Sequence, residues 1–335
     1  MNGSTTRRSV PLPSGPYLGL LAVVLLFVAL ISARGELGSF LRIRNLQALV
    51  NEATIPAIVA LGMLLIIVSG GIDLSVGSVV ALVTVVTMQT YRHLLTSTDS
   101  VPIASLVAVA AGVTSGGLCG FTNGMVVTRL GIPPFVATLG MFGVARGVAV
   151  WLSGRTLVSF PVGATPNWVG NLSEVHVKLI IFNPGFWSLV LLAILTAVML
   201  RLTVLGRHVY AVGSNEATAR LCGIAVNRTK VIIYTLAGLL TGWAGVITFA
   251  HGSSGDASAG EGLEVTVIAA VVIGGASLSG GRGTVLGTLT GVLILAVLVN
   301  GVSLFNVPVE IQYILMGVII VANTALGRWQ RSQQS

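Results

Sequence analysis

The sequence predicts an all-α polytopic membrane protein of about ten transmembrane helices, with both termini cytoplasmic. The first reason is composition: 54% of residues are hydrophobic and 8% charged, where soluble domains carry about a quarter charged. The second is length. Apolar runs of 17 or more residues recur along the chain, the scale a helix needs to cross the hydrocarbon core. The third is where the charge lies. The interval 206–230 holds Arg207, Arg220, Arg228 and Lys230 against the single acid Glu216, with Arg201 just before it. Positively charged loops stay on the cytoplasmic side. With this interval inside, eleven of the eighteen cations lie inside and six outside, and Arg146 falls within a span.

The elements follow in order. Residues 1–15 form a Pro/Ser-rich cytoplasmic tail, and Arg7 and Arg8 hold an uncleaved first helix on that side. A twin-arginine export signal is the alternative, disfavoured by the spans that follow. Span 1 covers 17–33. The polar segment 34–51 falls outside although it holds Arg34, Arg42 and Arg44. Span 2 covers 53–69 and meets Gly70-Gly71-Ile72-Asp73-Leu74-Ser75. Span 3 is 76–91, span 4 is 102–126 and span 5 is 135–152, the last entered through Pro133-Pro134. Residues 153–183 form the longest outside segment, with room for a short surface helix. Span 6 is 184–204 and span 7 is 231–250. Residues 251–264 carry Asp256, Glu261 and Glu264 and no Lys or Arg, which places them outside. Span 8 is 264–278, span 9 is 284–302 and span 10 is 310–327. Residues 16–327 thus form one transmembrane domain, and 328–335 a cytoplasmic tail.

Between spans 6 and 7 a short folded element is expected. Ser214 suits a helix N-cap, Glu216 falls in the first turn where the helix dipole favours an acid, and Gly223 suits a left-handed stop. A loop that only sets topology needs none of these, so 206–230 reads as a docking site. Glycines are spaced by four along span 4, at Gly112, Gly116, Gly120 and Gly124. Such columns let helices approach closely in lipid.

Several activities lack their residues. Neither Lys178 nor Lys230 stands in a phosphate-binding Gly-Lys-Ser/Thr setting. The four histidines show no metal spacing. No nucleophile elbow is present, and the spans hold few ionisable residues for a proton relay. Cys119 and Cys222 make no disulfide framework and read as small packing residues. An enzyme or a proton-driven carrier is disfavoured, and no cofactor or metal is expected. A channel remains open. The net charge of +8 sits in loops and tails and does not indicate nucleic acid.

The intramembrane polar residues are the candidates for a path or gate. Asp73 stands in a glycine-rich break, and an ionised group at the centre of a span costs about 2.5–3.5 kcal/mol on insertion scales. Either it lines a path, or it caps span 3 with Ser75 close by; both readings stay open. Asn123, Asn300 and Gln312 suit a path for a hydroxylated solute and equally suit stitching between helices. Arg146 either faces a pore or snorkels outward.

At residues 62–82 the chain reads GMLLIIVSGGIDLSVGSVVAL. This resembles the signature of the membrane permease subunits of ribose/xylose/galactose-type sugar-import ABC transporters. The segments at 133–147, 206–230 and 273–288 also resemble that family, and the likeness covers about 45–327. It implies a multi-pass inner-membrane permease, not itself an enzyme, that translocates a monosaccharide or polyol by alternating access. It implies cytoplasmic ATP-binding cassette subunits, an extracytoplasmic sugar-binding protein and a second permease copy or paralogue as partners, within membrane lipid. By that likeness 206–230 is the ATPase-coupling loop, with Glu216, Ala217, Arg220 and Gly223 as its contacts. Thr218 stands where the general importer pattern has Ala, and Gly223 falls seven residues after Glu216. The related branched-chain amino-acid permeases are the runner-up, and a channel or receptor scaffold is the alternative outside transport by ATPase.

Overall fold

The computed structural model describes residues 14–33, 37–98, 100–161, 163–173 and 182–305, with isolated positions from 307 to 318. Gln312 and most of 310–327, the expected tenth span, lie outside the described residues. Among the described residues the chain is helical apart from one two-stranded ladder. In order the helices are α1 (Ser14–Ala33), α2 (Leu37–Phe40), α3 (Ile43–Val68), α4 (Val76–Thr98), α5 (Val101–Arg129), α6 (Pro134–Ser153), α7 (Asn167–Ser173), α8 (Pro184–Leu202), α9 (Val204–Ser214), α10 (Glu216–Leu221), α11 (Val226–Gly252), α12 (Leu263–Ile273) and α13 (Val285–Leu304). The strands β1 (Val158–Ser159) and β2 (Ser254–Gly255) pair antiparallel, Val158 opposite Gly255.

Among the described residues seven helices are long and apolar enough to cross a membrane: α1, α3, α5, α6, α8, α11 and α13. α4 is as long but carries Gln89, Arg92 and His93 in its second half. The core is built on α3. Every residue from Ala57 to Val68 is buried, which explains a helix apolar all round. α5 and α11 form the tightest seam. A side chain at Gly116 would stand 2.6 Å from the Gly238 carbonyl and 2.7 Å from the Gly242 Cα, and one at Gly124 2.8 Å from the Val231 Cα. The spacing of glycines on span 4 is therefore a real approach of main chains.

Three expectations are corrected. The segment 34–51 is largely helical, because α3 begins at Ile43. The interval 206–230 is not a loop with one helix: α9 occupies its first half and α11 begins at Val226. Span 8 does not reach 278. α12 stops at Ile273, where Gly274 caps it and Gly275 turns at φ +92°. Eleven residues rise about 16 Å, about half of the hydrocarbon core.

Two stretches of irregular backbone enter the bundle. One is 69–75, between α3 and α4. Its Asp73 and Ser75 are 5% and 1% exposed. The other is 254–262, which runs from the end of α11 antiparallel along α4. Gly255 lies against Val85 and Met88, the Asp256 main chain meets the Thr84 hydroxyl at 3.0 and 3.1 Å, and Gly260 lies against Gly77.

Candidate functional site

Within 206–230 the chain forms a bracket of two short helices, α9 and α10. Thr203 caps α9 by accepting from the Gly206 N–H, and Asn215 caps α10 by accepting from the Thr218 N–H at 2.9 Å. The cap is thus Asn215; Ser214 closes α9. Gly223 ends α10 at φ +81°, the left-handed stop its sequence predicts. Ala219 plugs α10 into a small apolar cluster with Val212 and Val226, leaving Ala217, Thr218, Arg220 and Leu221 exposed.

Glu216 ties the bracket together. It accepts from Arg220 at 2.8 Å and from Lys230 of α11 at 2.6 Å, and Arg220 also donates to the Asn227 side-chain oxygen at 2.9 Å. The hydrogen bond from Lys230, with help from Arg220, holds the Glu216 carboxyl below the usual range despite partial burial. Beside this cluster lies a cavity of about 260 Å³ lined by Gly131, Pro133, Pro134, Glu216, Arg220 and Lys230. Sequence reasoning missed Leu221. It is 90% exposed, and an apolar side chain standing free at the tip of a polar loop is the signal that could have found it.

α9 joins the bracket to the bundle. A side chain at Gly213 would strike the Val68 carbonyl, which accepts from the Gly281 N–H at 2.9 Å. The Tyr210 hydroxyl donates to the Gly283 carbonyl at 2.8 Å. Val68 is the last residue of α3 and stands five positions before Asp73.

At the break, Asp73 Oδ1 accepts from the Ser75 N–H at 2.7 Å and from the Ser75 hydroxyl at 2.6 Å. The Asn123 amide donates to Ser75 Oγ at 3.1 Å. Thr138 of α6 accepts from the Leu74 N–H at 3.2 Å. The structure therefore brings Asp73, Ser75 and Asn123 together. It sets Asn300 elsewhere: its amide and that of Asn45 exchange hydrogen bonds at 3.1 Å. Asn45 is near the start of α3 and Asp73 beyond its end, so the length of that helix separates the two groups. Arg146 reaches across from α6 to the segment that runs along α4. Its Nη1 donates to the Ala257 and Ala259 carbonyls, gripping the segment that runs along α4.

Comparison with known proteins fits this arrangement. The family model described as branched-chain amino acid transport system / permease component matches residues 45–324. The chain belongs to this permease family. It is 38% identical over 306 residues to the ribose import permease protein of Escherichia coli K12, covering 90% of each chain. It is 35% identical over 322 residues to the L-arabinose ABC transporter permease protein of Azospirillum brasilense, covering 94% of this chain and 88% of the relative. It is 33% identical over 297 residues to the fructose import permease protein of Rhizobium meliloti, covering 88% and 80%. No solved structure matches. With its seven apolar helices, this permease is a multi-pass protein of the bacterial inner membrane. As a transport component it belongs with ATPase and substrate-binding partners in general.

Proposed function

We propose that this permease passes a monosaccharide or related polyol into the cytoplasm by alternating access, driven by partner ATPase subunits. The likeness along nearly the whole chain to permeases named for ribose, arabinose and fructose supports a sugar. Three sugars within a narrow band of identity do not select one among them. The family description also names branched-chain amino acids. Binding of labelled sugars and of leucine to the cognate binding protein separates the two.

In this reading a second permease copy or paralogue completes the path, an extracytoplasmic binding protein delivers the solute, and ten spans place both termini in the cytoplasm. α10 is the ATPase contact, through Glu216, Ala217, Arg220, Leu221 and the turn at Gly223. It is rigid because it is capped, plugged by Ala219 and tied to α11 through Lys230. Movement of α10 reaches the break by two short routes. One runs through α9 and Gly213 to Val68. The other runs up one turn of α11, from Lys230 to Tyr234, whose ring lies over Gly71. Asp73, Ser75 and Asn123 then line or gate the path; Asn300 stitches α13 to α3.

Arg220→Glu tests the contact. It puts a second acid beside Glu216 and breaks the bond to Asn227, while the membrane bundle is untouched. Reconstitution should show insertion and dimerisation retained, weaker ATPase association, and loss of uptake and of ATP hydrolysis stimulated by the loaded binding protein. Unchanged assembly and stimulation would reduce 206–230 to a topology signal.

A further inference from the structure

The segment 254–264 and the start of α4 enclose polar groups with no role in the contacts above. Glu264 opens α12 and packs onto Gly77 in the first turn of α4; a side chain at Gly77 would collide with its carboxylate and with the Gly260 carbonyl. Among the described residues, one Glu264 carboxylate oxygen is buried and has no hydrogen-bond partner. Ser78, in the same first turn, is fully buried and its hydroxyl is also without a partner. Arg146 grips Ala257 and Ala259 through one nitrogen, yet its Nη2 is buried and unpartnered. Among the described residues an acceptor, a hydroxyl and a donor are thus left open around one eleven-residue stretch.

Packing alone does not account for this. The N-terminus of α4 carries free N–H groups and a partial positive charge, which offsets the cost of the Glu264 charge. It does not supply the missing partners. Buried polar atoms without partners are costly, and in native proteins they are met by water, an ion or a ligand. Irregular backbone at membrane depth persists where it is buried in protein or lines a wet cavity. The backbone here is irregular by construction, with Gly260 and Gly262 at φ +70° and +75°.

We propose that 254–264 lines the translocation path, and that Glu264, Ser78 and Arg146 form the position where a neutral polyhydroxylated solute is held between the starts of α4 and α12. A sugar hydroxyl both donates and accepts. It can donate to the free Glu264 oxygen while a neighbouring hydroxyl accepts from Arg146. This rests on the transport reading and names a contact site within it that lies beyond Asp73. Short, glycine-interrupted helices meeting inside the bundle are the general way a membrane protein presents such a site.

The test uses the assembled importer in liposomes, with Cys119 and Cys222 replaced by Ser. Single cysteines are placed by Glu264→Cys and Ser78→Cys. Asn300→Cys serves as the sealed control and Ser258→Cys as the exposed one. Each is treated with a small cationic methanethiosulfonate, with and without ATP. Cysteines at 264 and 78 should react at rates that change with ATP and exceed that at 300 by about tenfold or more, about 1.4 kcal/mol in the barrier to reaction. Free aldopentoses and hexoses at high concentration should slow both. Ser78→Cys is nearly isosteric, so the question stands even if Glu264→Cys misfolds. Reaction at 264 and 78 as slow as at 300 in every condition would overturn the proposal, as would reaction that no sugar slows. Failure of the Cys-free parent to assemble with an ATPase would instead strike the permease reading itself.

Discussion

The glycines of α5 and of α6 recur at similar spacing, and of these two helices only α5 uses them as a seam. On α5 a side chain at Gly116, Gly120 or Gly124 would run into the main chain of α11. On α6, Gly140, Gly143 and Gly147 have nothing among the described residues within 4 Å of where a side chain would stand. The spacing of the α5 glycines in the sequence shows that close approach is permitted. It does not show that a partner is there. α6 turns this face outward, with Val136, Leu139 and Val144 half exposed beside its glycines, while Ala145 and Ala149 face inward. The bundle is therefore rigid along α5 and α11 and open to lipid or to a further subunit along α6.

The comparison breaks most visibly at Gly120. A valine there would collide with the Tyr234 carbonyl, and a main-chain atom cannot swing aside. Gly120→Val should destabilise by about 3 kcal/mol or more, the upper end of overpacking costs. Thermal unfolding in detergent and the yield of monodisperse permease would show it. A variant with ordinary stability would mean that α5 and α11 stand further apart than described.

The next effect is on activity more than on stability. Asp73→Asn keeps a side chain that can accept from Ser75 and removes the charge. Loss of capping strength should cost about 1 kcal/mol or less, while uptake by the reconstituted importer should fall sharply. Normal uptake by a slightly less stable variant would leave Asp73 as a cap alone. Smaller again is Gly143→Ala on the open face of α6. It meets no neighbour and should be neutral or stabilising by up to about 1 kcal/mol, the usual gain of Ala over Gly within a helix. A clear loss of assembly would show that another chain uses that face closely.

The break at Asp73 was legible because Gly70-Gly71 and a buried-looking acid interrupt two apolar runs. The Gly223 stop was legible for a similar local reason. The re-entry of 254–262 was not. The interval 251–264, with three acids and no Lys or Arg, reads as an ordinary outside loop, which places Glu264 outside. The signal lay next door: the apolar run that follows is cut by Gly274-Gly275 and is too short to span. The contacts of Arg146 were not legible because its partners are main-chain carbonyls some 110 positions later, which leave no trace in residue type. α9 was missed because its buried residues Val209 and Val212 are few and its neighbours polar. The cap fell at Asn215 and not Ser214 because both residues can cap, and the geometry of α9 decides between them.

The smallest effect tests the contrast between the two glutamates. Glu264 is part-buried, with one buried oxygen unmet among the described residues; Glu216 stands 41% exposed with both oxygens paired. The carboxyl of Glu216 is held below its ordinary range by Lys230 and Arg220. A lowered acid contributes stability that is fully present above the unfolded carboxylate range and is lost as pH falls through the folded value. Exposure and salt screening limit this to about 0.5 kcal/mol or less. The expected reading is local. The protection of the α10 amides, taken relative to the intrinsic exchange rate at each pH, should fall as the pH drops below about 4.3, the ordinary glutamate value, while protection of α3 stays constant. Glu216→Gln should show weaker protection at neutral pH and no further loss on acidification. If its exchange depends on pH as the parent's does, another group fastens α10 to α11, and the tie from Lys230 is not what makes the bracket rigid.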